Sequence, residues 1–375
     1  MKFGEVIGQD QVKKHLINTV RNSRVSHAQL FLGPPASGKL SMAIAYAQYI
    51  NCRNRTETDS CGECPSCVKF GKMAHPDLHF IYPTAKTRDI EKPTSKDFIR
   101  DWRELLLNTN AYIQLPDWYE KIGIEKKQAI INARDCSDII STLNYKSYEA
   151  EYKVMIIWMV EKLFHAAAPK ILKVLEEPPE KTLFILVAES QENIINTILS
   201  RTQLVKFNPI ESEALQENLE SLGYDPVNVR DAIRVAGGNY ALALNLASQP
   251  EAEGQNFTWF TNWMRVCYRG KFAEMLEFVN EISGVNRDAQ KGMLRFGLRI
   301  IRESLLEGFE QSKLSRLNNR ESEFTARFHK FIHTGNIALI NEELNQSIAH
   351  IDRNANPNVL FFDASIKLAQ YLKKK

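Results

Sequence analysis

Over roughly its first two hundred residues the chain alternates short apolar runs with amphipathic stretches, the pattern of strands alternating with helices around a parallel sheet. Leu30-Phe31-Leu32 predicts a buried strand that runs directly into Gly33-Pro34-Pro35, and Ser41 to Ile50 reads as a helix. Val154-Met155-Ile156-Ile157 and Leu183-Phe184-Ile185-Leu186-Val187 predict two further strands. Between them, Ala166 to Glu177 is rich in strong helix formers and is stopped by Pro178-Pro179. From about residue 210 the strand signal ends. Glu211 to Leu222, Val227 to Ala236 and Tyr240 to Ala247 predict three short helices, separated by Gly223, Pro226 and Gly237-Gly238. Gln249-Pro250 and the polar stretch to Gln255 read as a linker, and Phe257 to Leu372 carries long helical periodicity with few breakers. The expected organisation is an α/β core over 1–207, a small helical domain over 208–250 and an all-helical domain over 251–375. Residues 83–123 fit this scheme least. With Pro93, Pro116, Tyr112, Trp118, Tyr119 and a helix near Phe98 to Leu107, they read as a partly ordered insertion of unassigned role.

Composition changes this picture little. The 375 residues are 44% hydrophobic and 25% charged, ordinary for a globular protein of two or three domains. A net charge of +3 does not mark a nucleic-acid binder, and the closing Lys373-Lys374-Lys375 reads as a solvated tail. No stretch approaches the roughly 20 apolar residues that span a bilayer, and Met1-Lys2-Phe3-Gly4-Glu5 has no apolar signal core, so a cytoplasmic location without membrane contact is expected. In that compartment six cysteines point to metal before disulfides.

Two clusters carry chemistry. Gly33-Pro34-Pro35-Ala36-Ser37-Gly38-Lys39 satisfies G-x-x-x-x-G-K between a strand and a helix, where backbone N–H groups and Lys39 can meet phosphate. The next residue should offer a hydroxyl to Mg²⁺, but it is Leu40, and Ser41 points about 100° away along the helix. After the strand at 154–157, where acids would support the metal and activate water, stand Trp158 and Met159. Glu161 is near enough only for a displaced base. The loop is therefore read as a degenerate phosphate site at Gly33, Gly38 and Lys39, with ATP binding open and hydrolysis absent.

The second cluster is Cys52, Cys61, Cys64 and Cys67, spaced C-x8-C-x2-C-x2-C. Four thiolates suit a closed tetrahedral Zn²⁺ site, and the absence of an open position makes it structural. Iron–sulfur chemistry is the alternative. Cys136 and Cys267 lack such spacing and read as small buried hydrophobes.

With these residues in view, the sequence resembles the bacterial clamp-loader subunits of DNA polymerase III over nearly its whole length. Phe3-Gly4-Glu5-Val6-Ile7-Gly8-Gln9, His27-Ala28-Gln29-Leu30 leading into the phosphate loop, the four cysteines and His75-Pro76-Asp77 follow the family order. Leu172-Lys173-Val174-Leu175-Glu176-Glu177-Pro178-Pro179-Glu180 is similar to its "LLKxLEEPPE", and Ser200-Arg201-Thr202 to its "S-R-C". Ile351-Asp352-Arg353-Asn354-Ala355-Asn356-Pro357 resembles a segment of its collar domain. The resemblance implies an AAA+ core with zinc module, a helical lid and a helical collar.

Leu40, Trp158 and Met159 depart from the motor subunits and resemble the non-hydrolysing delta-prime type. Pro169 ahead of the "LLK" helix and the lack of any Arg between Arg234 and Arg265 agree. The resemblance then implies that Arg201, with Ser200, acts in trans on the ATP of a neighbouring motor subunit. It also implies a hetero-pentameric ring with motor subunits and a delta subunit, a component of the DNA polymerase III holoenzyme that places a sliding clamp on primed DNA. Two rivals stand: an active motor ATPase using Ser41 and Glu161, and a zinc-dependent nucleic-acid-binding module with a relic phosphate loop.

Overall fold

The protein is described by a computed structural model covering residues 1–124, 127–309 and 316–374. By internal contacts it divides into two compact units, Met1–Asn218 with Gly238–Ala241, and Leu219–Gly237 with Leu242–Lys375.

In the first unit the elements run α1 (Asp10–Arg21), β1 (Ala28–Leu32), α2 (Lys39–Ile50), α3 (Pro65–Gly71), β2 (Leu78–Ile81), α4 (Ile99–Asn108), α5 (Leu115–Lys121), α6 (Ala133–Leu143), β3 (Lys153–Trp158), α7 (Ala168–Glu176), β4 (Thr182–Ala188), α8 (Asn196–Leu199) and β5 (Gln203–Lys206). The strands form one sheet in the order β2-β3-β4-β1-β5, with every pairing parallel. Parallel neighbours require crossover connections, which the helices supply. β3 and β4 are buried at every position, which is why they read as unbroken apolar runs. β2 and β5 lie at the two edges and were not anticipated. β5 exposes three of its four residues, so Gln203-Leu204-Val205-Lys206 carries no apolar run. α2 is buried on all sides beneath the sheet, and its first residue is Lys39.

The stretch from 83 to 123 differs from expectation. It is not a partly ordered appendage but part of the main core. Trp102 and Trp118 are fully buried, with ring centroids 5.0 Å apart, and Trp102 stacks on Tyr82 at 4.2 Å. The Trp118 indole N–H donates to the Pro83 carbonyl at 2.8 Å. Aromatic rings of this size bring enough apolar area to anchor the segment, which carries α4 and α5, to the core.

The chain continues through α9 (Ser212–Ser221), α10 (Pro226–Ala236), α11 (Tyr240–Ser248), α12 (Pro250–Arg269), α13 (Phe272–Ser283), α14 (Arg287–Gly308), α15 (Asn319–Phe328), α16 (Ile337–Asp352) and α17 (Pro357–Lys373). In the second unit Trp263 anchors the core, lying parallel to Phe278 at 5.7 Å and donating its N–H to Ser365 Oγ at 2.8 Å. Cys267 and Cys136 are fully buried, each in its own unit. The expected linker at 249–255 is instead the N-cap, Gln249, and the opening turns of α12. Pro250 takes the first helical turn, where its missing N–H is harmless. Glu253 is drawn inward to Arg299, which also holds Glu321 at 2.7 Å. Among the described residues no helix is long and apolar enough to cross a membrane. Lys373 ends α17, and Lys375 of the closing lysine run lies outside the described residues.

Candidate functional site

The loop 33–38 leaves the C-terminal end of β1, between β4 and β5, the edge where open parallel sheets hold ligands. Its glycines are sterically required. A Cβ on Gly33 would lie 2.5 Å from the Phe207 carbonyl oxygen, and Gly38 turns through φ +87° into α2. Lys39 is only 5% exposed, and its ammonium donates to the Pro34 carbonyl and to Ser37 Oγ. Burial lowers its pKa to about 8, opposed by the charges of Glu189 and Glu161. Burial in turn raises the pKa of both carboxyls. Glu161 accepts the Glu189 N–H at 2.7 Å, so one of its oxygens is already engaged. Ser41 Oγ is likewise engaged, donating to the Asn110 carbonyl at 2.8 Å. Leu40, Trp158 and Met159 are buried around the loop and offer it no oxygen ligand. About 10 Å³ of free volume remains there, lined also by Ala111, Ile113 and Glu189.

The four cysteines converge beside the C-terminal end of α2 and the start of α3. Their sulfurs all lie within 4.8 Å of one another, with Cys52 to Cys61 at 3.5 Å and Cys61 to Cys67 at 3.9 Å, and all four are free thiols. A tetrahedral ion with bonds of about 2.3 Å to sulfur needs ligand separations of about 3.8 Å. The set therefore fits one such ion. Backbone N–H groups of Cys61, Cys64 and Cys67 each donate to the preceding cysteine sulfur, at 3.3, 3.4 and 3.5 Å. The amides of Cys64 and Glu63 pull the Cys61 thiol down to about 6, whereas burial pushes Cys67 up. Deprotonated together, four sulfurs this close would need a cation to neutralise them. Gly62, inside the knuckle at φ +80°, makes the tight turn between ligands.

Arg201 follows α8 and is one third exposed. Its Nε donates to Glu176 Oε1 at 2.6 Å, a second guanidinium nitrogen reaches the same carboxylate, and Nη1 donates to the Thr197 carbonyl at 3.0 Å and Ser200 Oγ at 3.2 Å. The guanidinium is thus held by the last residue of α7. Sequence reasoning missed this partner, although Glu176 sits in the "LEEPPE" segment that drew attention. It also gave no role to Asp77, named there only within His75-Pro76-Asp77; its buried carboxylate accepts three successive N–H groups, from Tyr148, Glu149 and Ala150, and pins the approach to β3. The phosphate loop, the thiols and Arg201 occupy separate places in the first unit.

Comparison with known proteins gives a consistent picture. A family model described as "DNA polymerase III, delta subunit" matches residues 8–211, more than half of the chain. The DNA polymerase III subunit delta' of Bacillus subtilis is 27% identical over 244 residues, 65% of this chain and 60% of that protein. The tau subunits of B. subtilis and Escherichia coli are 26% and 25% identical, covering 77% and 67% of this chain. The matches span 47% of the first tau subunit and 33% of the second, so the chain accounts for only part of each relative's length. Among solved structures, a gamma subunit-related protein of Thermotoga maritima superposes with a TM-score of 0.43 at 13% identity, covering 96% of this chain and 99% of that one.

Proposed function

The chain belongs to the DNA polymerase III delta-subunit family, and from that premise we propose that it is a delta-prime-type stator of the replicative clamp loader, which hydrolyses no ATP itself. The observation that carries the reading is that Leu40, Trp158 and Met159 are buried against the phosphate loop at the positions from which magnesium would be gripped, while the nearby Glu161 and Glu189 are carboxyls whose ionisation burial disfavours. A hard divalent cation needs oxygen ligands, and a leucine, an indole and a thioether provide none.

In this reading Arg201 is the working group. The Glu176 carboxylate and the Thr197 carbonyl hold it in a fixed fork at the surface of the core unit. A pre-organised guanidinium delivered to a neighbouring subunit's ATP stabilises charge on the transferred phosphoryl group, an effect of about 10³–10⁵ in rate in other NTPases. Glu176 is a positioning residue. Ser200 supports the same geometry through its hydroxyl. The thiol cluster takes Zn²⁺ as a structural staple. The partners are motor subunits and a delta subunit in a five-membered ring acting on a sliding clamp and primed DNA in the cytoplasm. Residues 1–207 serve as the AAA+ core, 208–250 as lid and 251–375 as collar.

The tau relatives, matched at similar identity, favour a second reading in which this chain is itself a motor. Against it, Ser41 is already engaged inside the protein, as is one oxygen of Glu161, whose ionisation burial disfavours. Steady-state ATP hydrolysis by the isolated, zinc-loaded chain separates the two. The stator reading expects no turnover above background. Turnover abolished by Lys39→Ala would establish the motor.

A further inference from the structure

Residues Asn110 to Ile113 emerge from the end of α4 and enter the mouth of the phosphate loop. Asn110 and Ala111 are consecutive residues in the left-handed region, at φ +48° and +58°. Neither is a glycine, so the surrounding contacts must hold this conformation. Those contacts are specific. The Asn110 carbonyl takes the Ser41 hydroxyl at 2.8 Å, and the Tyr112 hydroxyl takes the Ile7 N–H at 2.8 Å. The Tyr112 ring lies against Tyr240 at 4.6 Å, and a Cβ placed on Gly38 would meet the Tyr112 hydroxyl at 3.3 Å. Ala111 and Ile113 line the remnant cavity with Leu40, Trp158 and Met159. The 10 Å³ left over is at the threshold for one water, which needs roughly 10–15 Å³, and far too little for a phosphate.

We infer that Asn110–Ile113 is an internal stopper: the segment from 83 to 123 fills the nucleotide seat from within, and Tyr112 and Ile113 are the residues that determine that this site takes no nucleotide. The stopper satisfies polar groups that an empty site would leave bare. Tyr112 provides the acceptor for the Ile7 amide, and the Asn110 carbonyl the acceptor for Ser41. Lys39 donates to the Pro34 carbonyl. This deepens the proposed reading of the loop and rests on it, and it gives the segment a role distinct from the missing magnesium ligands. The site is closed twice over, once by lost ligands and once by occupation.

The two closures can be separated in the full-length chain by titrating N-methylanthraniloyl-ADP, followed by fluorescence. The wild type is expected to show no saturation up to ~1 mM, and Leu40→Thr, which restores a hydroxyl but keeps the stopper, none either. Tyr112→Ala combined with Ile113→Ala is expected to bind at least tenfold more tightly than the wild type. Saturation by the wild type or by Leu40→Thr alone, or a folded double variant that still binds nothing, would overturn the inference. Should the double variant fail to fold, hydrogen exchange at the Ile7 amide of the wild type decides. Slow exchange that 1 mM ADP leaves unchanged supports the stopper, and exchange that is fast or altered by ADP sinks it. Neither arm involves Arg201 or a partner subunit, so failure of the stator reading and failure of the stopper would be told apart.

Discussion

Lys39 is a buried ammonium in the phosphate-type loop, with the Glu189 and Glu161 carboxyls nearby. In an open phosphate loop its ammonium would face anions; here it is enclosed, with two carboxyls whose own ionisation burial disfavours. The fold therefore holds its proton less firmly than the unfolded chain does. Between pH 8 and 10.5 the unfolded state binds more protons, so the wild type should gain stability relative to Lys39→Met as pH rises through that window, by up to about 3 kcal/mol. Denaturant melts of both proteins at a series of pH values check this; parallel curves would mean that the ammonium is better solvated than its burial implies. At the other residue of interest, Glu176→Gln keeps the shape of the Arg201 partner but removes its charge. The pair is partly exposed, so global stability should change by less than about 1 kcal/mol. The stimulation of a motor partner should fall several-fold with an unchanged apparent affinity for ATP. A loss of stability equal to a core substitution would instead assign Glu176 a structural role.

The cysteine module and the buried aromatic clusters act at the scale of elements. α3 has only seven residues, tied to the main core through the fully buried Phe70, and a metal held by the four thiols would fix the rest of the knuckle. Chelation, or Cys61→Ser, is expected to abolish one equivalent of bound zinc and to release hydrogen-exchange protection over 52–71 while the sheet stays protected. Retained protection without metal would show that packing alone suffices. In the helical unit, Trp263→Ala removes a fully buried indole that stacks on Phe278 and bonds Ser365, and should cost about 3–5 kcal/mol in denaturant unfolding. How much of this was legible in the sequence varies with how local its cause is. β3 and β4 were readable because both faces are buried and nothing interrupts the apolar run, whereas β2 and β5 were hidden by their edge positions. The start of α12 was mistaken for a linker because Pro250 and its polar neighbours look like a break, yet proline is at home in a first turn and Glu253 is satisfied by Arg299, forty-six residues away. The thiol site needed only spacing. The bond from Arg201 to Glu176, twenty-five residues apart, and the insertion of Tyr112 beneath Ile7 needed the tertiary fold.

At the scale of the whole molecule, the chain combines a parallel α/β unit carrying a phosphate-type loop, against which Leu40, Ala111, Ile113, Trp158 and Met159 pack, with an arginine, Arg201, that is one third exposed. On the proposed stator reading, such a polypeptide contributes geometry to an assembly, with the chemistry done by another subunit's nucleotide. The direct measurement is DNA-stimulated ATP hydrolysis by a clamp loader reconstituted from its motor subunits, a delta subunit and this chain, comparing wild type with Arg201→Ala. We expect the variant to assemble normally and to lose at least tenfold in rate, with Arg201→Lys recovering little of it, because a lysine lacks the planar fork. An assembled complex whose hydrolysis is indifferent to Arg201→Ala would contradict the account.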